Sequence, residues 1–152
     1  MTALVVDASV AAKWWFLEPY ADEAKSLRAA GLDLLSPRFL QVELVNIVVQ
    51  KGRRGEVDEL ASNLIVAAIT RIPVLLVPDE ELFTSAHSLA CTYHPSTYDC
   101  LYVALALRER CPVVTADRRF HDAFADRIPG SMLWIGDIPA FVEQATSGEP
   151  PR

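Results

Sequence analysis

The chain has 152 residues and a mass of 16.8 kDa, with 51% hydrophobic and 22% charged residues, which suits one globular unit with a sizeable core and excludes a disordered chain. Its net charge of −6 argues against broad electrostatic adhesion to nucleic acid, but it leaves room for a local basic rim around an acidic site. No apolar run approaches the ~20 residues needed to span a bilayer, so no membrane association is expected.

Residues 3–6 (ALVV) read as a short aliphatic strand that runs into Asp7 and then Ser9. Because Asp7 interrupts the apolar start and no basic segment precedes it, no signal peptide is expected. Asp and Ser are good helix N-caps and a helical stretch is expected around 9–17, so capping is one reading of the acid. Next come a helix over 20–30 ending at Gly31, a strand at 33–36, a helix over 38–51 ending at Gly52, and a helix over 56–71. A strand at 73–77, helices at 79–93 and 96–110, a strand at 112–115, a helix at 118–127, a strand at 131–136 and a helix at 140–146 complete the expected order. Residues 1–146 form one expected domain, and SGEPPR (147–152) a short flexible tail.

Strands alternating with helices predict an α/β fold: a three-layer α/β/α sandwich around a mostly parallel sheet of about five strands. Ligands of such sheets bind outside the carboxyl ends of the strands, near a switch in strand order. Asp7 ends the first predicted strand, and Asp117 in VVTAD (113–117) ends the fourth. Each has a hydroxyl two residues away, Ser9 after the first and Thr115 before the second.

Two further acids interrupt apolar helices. In FLQVELVNIVVQ (39–50), Glu43, Asn46 and Gln50 fall on one stripe, and the rest is so apolar that the helix is expected to be buried, with Glu43 pointing into a cleft. In STYDCLYVALALRER (96–110), Ser96 is the expected N-cap and Asp99 falls at the third helical position, where a capping or helix-dipole role is the alternative reading. Two like charges ~4 Å apart repel by ~4 kcal/mol at an effective dielectric near 20, so four carboxylates sharing a pocket must share protons or hold cations. An all-oxygen donor set with no His or Cys cluster specifies a hard ion, Mg²⁺ or Mn²⁺, and the matching chemistry is metal-assisted hydrolysis of a phosphodiester.

The ordered set Asp7-x-Ser9, Glu43 with Asn46, Asp99 inside STYDCLYVALA, and Thr115-x-Asp117 with Phe120 resembles the PIN-domain family, and within it the VapC-type toxins of toxin–antitoxin modules. DxS alone is common; four acids in this order and context are specific. The resemblance spans most of the chain, from LVVDASVAAKW to VVTADRRF. It implies an endoribonuclease dependent on Mg²⁺ or Mn²⁺, a homodimer, and a small antitoxin whose tail covers the acidic pocket. It also implies that Asp7, Glu43, Asp99 and Asp117 are the metal-binding catalytic acids, that Ser9 and Thr115 orient them, and that Asn46 supports Glu43. Cys100 departs from the small apolar residue that often follows the third acid, which leaves a thiol beside the site.

Other strand-ending aspartates fit less well. A haloacid-dehalogenase-type phosphatase needs a second Asp where Ser9 stands, and a phosphoacceptor receiver needs paired acids and a late lysine, whereas Lys13, Lys25 and Lys51 are the only lysines. A non-catalytic interaction module is the alternative from a different class. Arg118 and Arg119, with Lys13, are candidates to hold an RNA phosphate, while Arg53 and Arg54 read as solvated charges. The aromatic run KWWF (13–16) reads as packing against the sheet or a dimer partner before base stacking. His87, His94 and His121 are isolated. An odd number of cysteines (Cys91, Cys100, Cys111) without metal spacing reads as core or surface thiols and fits a reducing cytoplasm.

Overall fold

A computed structural model describes residues 2–147. Five parallel strands, β1 (Ala3–Val6), β2 (Asp33–Pro37), β3 (Leu75–Val77), β4 (Val113–Thr115) and β5 (Met132–Trp134), pair in the order β3-β2-β1-β4-β5. The register sets Leu4 beside Leu34, Val5 beside both Leu35 and Val113, and Val6 beside Val114. The buried central strands read as near-continuous aliphatic runs because a parallel sheet is covered on both faces. The Ser36 hydroxyl donates to the Val6 carbonyl at 2.9 Å, which fixes the end of β1 one residue before Asp7.

The helices are α1 (Ala8–Ala11), α2 (Ala21–Ala29), α3 (Phe39–Arg53), α4 (Glu59–Ile69), α5 (Phe83–Tyr93), α6 (Thr97–Glu109), α7 (Arg118–Ala125) and α8 (Ile138–Ser147). With the right-handed crossovers that parallel sheets adopt, this order carries the β1–β2 and β2–β3 connections over one face and the β3–β4 and β4–β5 connections over the other, consistent with the expected α/β/α sandwich. The chain steps from β1 toward β2 and β3, then returns to place β4 on the opposite side of β1. The switch in strand order therefore lies between β1 and β4.

Several boundaries differ from the sequence expectation. The helix expected at 9–17 is a single turn, α1, followed by a 3-10 turn at Ala12–Trp14. Pro19 disfavours helical backbone at Glu18, and the Trp14 indole N–H is drawn to the Ala24 carbonyl at 2.8 Å, which turns the chain toward α2. The stop expected at Gly52 lies inside α3, and the left-handed residue that turns the chain is Gly55, with φ +73°. The strand expected from Pro73 starts at Leu75, since proline has no N–H for the ladder. α8 begins two residues early because Pro139 is tolerated in a first turn. The tail expected at 147–152 lies outside the described residues beyond Ser147, which ends α8. Among the described residues no helix is long and apolar enough to cross a membrane.

α3 corrects one further expectation. Only Leu40, Leu44 and Val48 are buried, whereas Val42 and Val49 are exposed, so the helix is covered on one side and presents an apolar stripe on the other. Leu44→Ala is therefore expected to destabilise the protein by about 2–5 kcal/mol in urea denaturation, and Val42→Ala to stay within about 0.5 kcal/mol. Equal losses at the two positions would return α3 to a fully buried helix.

Candidate active site

Asp7 leaves the carboxyl end of the central strand and caps α1, its Oδ1 accepting the Val10 N–H at 3.1 Å. The capping reading therefore holds, but it uses only part of the carboxylate. Oδ1 also accepts the Ser9 hydroxyl at 2.7 Å, and Oδ2 accepts the Thr115 hydroxyl from the end of β4 at 2.6 Å. Each hydroxyl oxygen is in turn a backbone acceptor, Ser9 for the Ala116 N–H at 2.8 Å and Thr115 for the Asp117 N–H at 3.0 Å. Two backbone dipoles thus reach Asp7 through two hydroxyls across the β1–β4 switch. Burial nevertheless dominates and, with a smaller contribution from the charge of Asp117, pushes the Asp7 carboxyl up to about 6.

Asp117 caps α7, accepting the Phe120 N–H at 3.1 Å, and its side chain is exposed at the rim. Asp99 stands in the first turn of α6, where Ser96 is the cap: its hydroxyl accepts the Asp99 N–H at 3.2 Å. Burial raises the Asp99 carboxyl above its usual range; Ser96 and Arg119 lower it, and Asp117 raises it. Glu43, half-buried on α3, accepts the Tyr102 hydroxyl at 2.9 Å. Its carboxyl is pushed up to about 7 by burial and by the charges of Asp7 and Asp99, against the lowering effect of the Tyr102 bond. The four acids therefore converge closely enough to feel one another's charge. Among the described residues, however, no three His, Cys, Asp or Glu side chains are grouped tightly enough to enclose an ion.

A cavity of about 420 Å³ is lined by Asp99 and Asp117, though not by Asp7 or Glu43, together with His94, Ser96, Arg119 and Arg127 among others. Of the expected phosphate-holding residues, only Arg119 is there. Arg118 lies over the Trp134 ring, 3.6 Å from its centroid, and Lys13 is buried beside Glu18 in a separate cavity. Asn46 is exposed and makes no hydrogen bond to Glu43. The support expected from it comes instead from Tyr102, which the sequence reading missed. Its signal was the spacing: Tyr102 lies one turn beyond Asp99 on the same face of an apolar helix. Cys100 is buried, and burial with the Asp99 charge pushes its thiol up to about 11, so it stays protonated.

A family model described as the PIN domain matches residues 4–124. Ribonuclease VapC3 of Pyrobaculum aerophilum is 28% identical over 123 residues, which are 80% of this chain and 94% of that protein. Among solved structures, one from Pyrobaculum aerophilum superposes with a TM-score of 0.70 at 18% identity, covering 93% of this chain and 90% of the other. Mycobacterium tuberculosis VapC20, a sarcin–ricin loop cleaving toxin, gives 0.63 at 19% identity over 80% and 95%. A toxin–antitoxin complex from Klebsiella pneumoniae gives 0.56 at 15% over 84% and 93%. At these identities the structural matches carry the fold.

The raised carboxyls have a pH signature. A carboxyl whose folded pKa lies above its unfolded value stabilises the fold fully below the unfolded value, near 4, and loses that contribution as pH rises through about 6 for Asp7 and about 7 for Glu43. For Asp7 the shift corresponds to about 3 kcal/mol. In urea denaturation with EDTA, stability relative to Asp7→Asn is therefore expected to fall between pH 4 and pH 7.5. Parallel pH profiles for the two proteins would mean that the Asp7 carboxylate is not destabilised by the fold.

Proposed function

The chain belongs to the PIN domain family, and on that premise we propose that it is a cytoplasmic, Mg²⁺-dependent endoribonuclease, the toxin of a toxin–antitoxin pair. The observation that carries this reading is the grouping of Asp7, Glu43, Asp99 and Asp117 around the β1–β4 switch, where burial, with added repulsion from neighbouring acids, holds the Asp7, Glu43 and Asp99 carboxyls above their usual range. The name of the VapC3 relative supports the choice of RNA as substrate.

Asp7, Glu43, Asp99 and Asp117 would hold a divalent ion, Mg²⁺ or Mn²⁺, which when bound lowers the pKa of water and offsets charge on the leaving oxygen. Ser9 and Thr115 hold the Asp7 carboxylate in one orientation, with both of its oxygens occupied by donors. Tyr102 does the same for Glu43 through Oε1 and leaves Oε2 as the oxygen able to take a proton near neutral pH. Arg119 on the cavity wall offers a phosphate a charged, forked donor.

For partners, the exposed apolar positions Val42 and Val49 on α3 and Leu60 and Leu64 on α4 support a protein–protein contact, with an antitoxin or with a second copy in a homodimer. The three free cysteines suit a reducing compartment.

Purified protein is expected to cut a mixed cellular RNA pool with Mg²⁺ or Mn²⁺ and to stop in EDTA. Asp7→Asn and Asp99→Asn should each reduce cleavage by at least on the order of 100-fold, and Tyr102→Phe by about 10-fold or more, all with the fold retained. Cleavage that persists in these variants, or none in any metal after a bound antitoxin is stripped away, overturns the catalytic reading in favour of an interaction module.

A further inference from the structure

On the other flank of Ser9 lies a second cavity, of about 230 Å³, whose wall includes Ser9, Ala116, Lys13, Lys51 and Arg54. Two of the three lysines in the chain meet there from separate elements, Lys13 from the 3-10 turn after α1 and Lys51 from the last turn of α3. Their side chains are only 10% and 13% exposed. Both ammonium groups converge on one carboxylate: Lys13 Nζ lies 3.1 Å from Glu18 Oε2, and Lys51 Nζ 2.6 Å from Glu18 Oε1. Lys51 also reaches Glu56 at 2.9 Å, with its ammonium over the Phe16 ring.

Glu18 belongs to no helix or strand. It sits on the strap between the 3-10 turn and α2, preceded by Leu17, which is 93% exposed, and followed by Pro19. Among the described residues the two lysines are the only partners of its carboxylate, while the strap itself is held by the Ala21 N–H, which donates to the Glu18 carbonyl at 3.1 Å, and by Tyr20 packed edge-on against Trp134. A carboxylate set between two ammonium groups presents two anionic oxygens and one negative charge, as a phosphodiester does. Exchanging one for the other preserves the charge balance around two poorly exposed lysines. The floor of this cavity, Ser9 and the Ala116 N–H, is the same hydroxyl–amide pair that holds Asp7.

Building on the ribonuclease reading above, we propose that Lys13 and Lys51, with Arg54 at the rim, form a seat for a phosphodiester of the RNA strand flanking the bond to be cut, and that Glu18 fills this seat until RNA displaces it. The seat gives a polyanion approaching four carboxylates a fixed cationic anchor beside them, and it makes the strap a competitor that RNA must outbid.

The test is binding of a short fluorescently labelled oligouridylate, by anisotropy, to the full-length Asp99→Asn protein in Mg²⁺ over a range of salt. Lys13 is buried, so the informative additions are Lys51→Gln and Arg54→Gln, each checked for folding by thermal melting. Lys51→Gln is expected to weaken binding by about 3–10-fold and to flatten the plot of log affinity against log salt by about 0.7, the value for one single-strand phosphate contact. Arg54→Gln should act in the same direction, Lys51→Arg should keep the slope, and Glu18→Gln should tighten binding. RNA binding whose salt slope ignores Lys51, or a Glu18→Gln protein that binds more weakly, makes the cluster an internal ion pair and overturns the seat alone. An Asp99→Asn protein that binds no RNA overturns the ribonuclease reading, and the seat with it.

Discussion

The arrangement turns on one buried carboxylate at the end of the central strand. Asp7 is 5% exposed, and burial alone opposes ionisation of its carboxyl. What makes the position tenable is the pair of hydroxyls from adjacent strand ends, each backed by a main-chain N–H, together with the N–H of Val10 at the start of α1. That web needs β1 and β4 to be neighbours in register, so it links the topology of the whole sheet to a single side chain. The β1–β4 switch is where two helices start on opposite sides of a strand end, and it offers donors from both.

From that anchor the charge balance of the surface follows. The acids beyond Asp7 are tied to different elements, Glu43 to α3, Asp99 to α6 and Asp117 to the start of α7, and each is oriented by a neighbour rather than by another acid. Tyr102 and Tyr98 illustrate how: one turn apart on α6, they meet Glu43 and Phe39, one turn apart on α3, through a hydrogen bond and a stacked ring pair at 4.9 Å. Two matched rungs fix the spacing of α3 and α6, and with it the separation of Glu43 from Asp99. An acid cluster held apart in this way cannot relax its repulsion by moving one acid away from the next.

Much of this was legible in the sequence because it is local. An aliphatic run ending in Asp7-x-Ser9, another ending in Thr115-x-Asp117, and Ser96 three residues before Asp99 each fall within one short window, where strand and capping chemistry leave a direct trace. The long-range pairings left none. Asn46 shares a stripe with Glu43, but helix spacing cannot tell which side of α3 meets α6, and Asn46 lies on the solvent side. Tyr102 left no trace of its own because an aromatic in an apolar helix usually packs in the core; its ring is buried, and only its hydroxyl reaches Glu43. Similarly, α3 looked buried on all sides because composition does not reveal that its second apolar stripe is left uncovered.

Lys13 shows the same limit from the other direction. Its number was read as a phosphate candidate near the acids, and it does lie near them, but through Ser9 and with Glu18 in the way. A sequence holds both the basic residue and its intramolecular competitor, five positions apart, without showing that Lys51 joins them from α3. Once the three are together, the Ser9 hydroxyl separates a cluster of acids from a pair of lysines that share one carboxylate. A polyanion with regularly spaced phosphates is the ligand that suits the proposed seat: one of its charges would exchange with Glu18, while the next would lie toward the acids beyond Ser9.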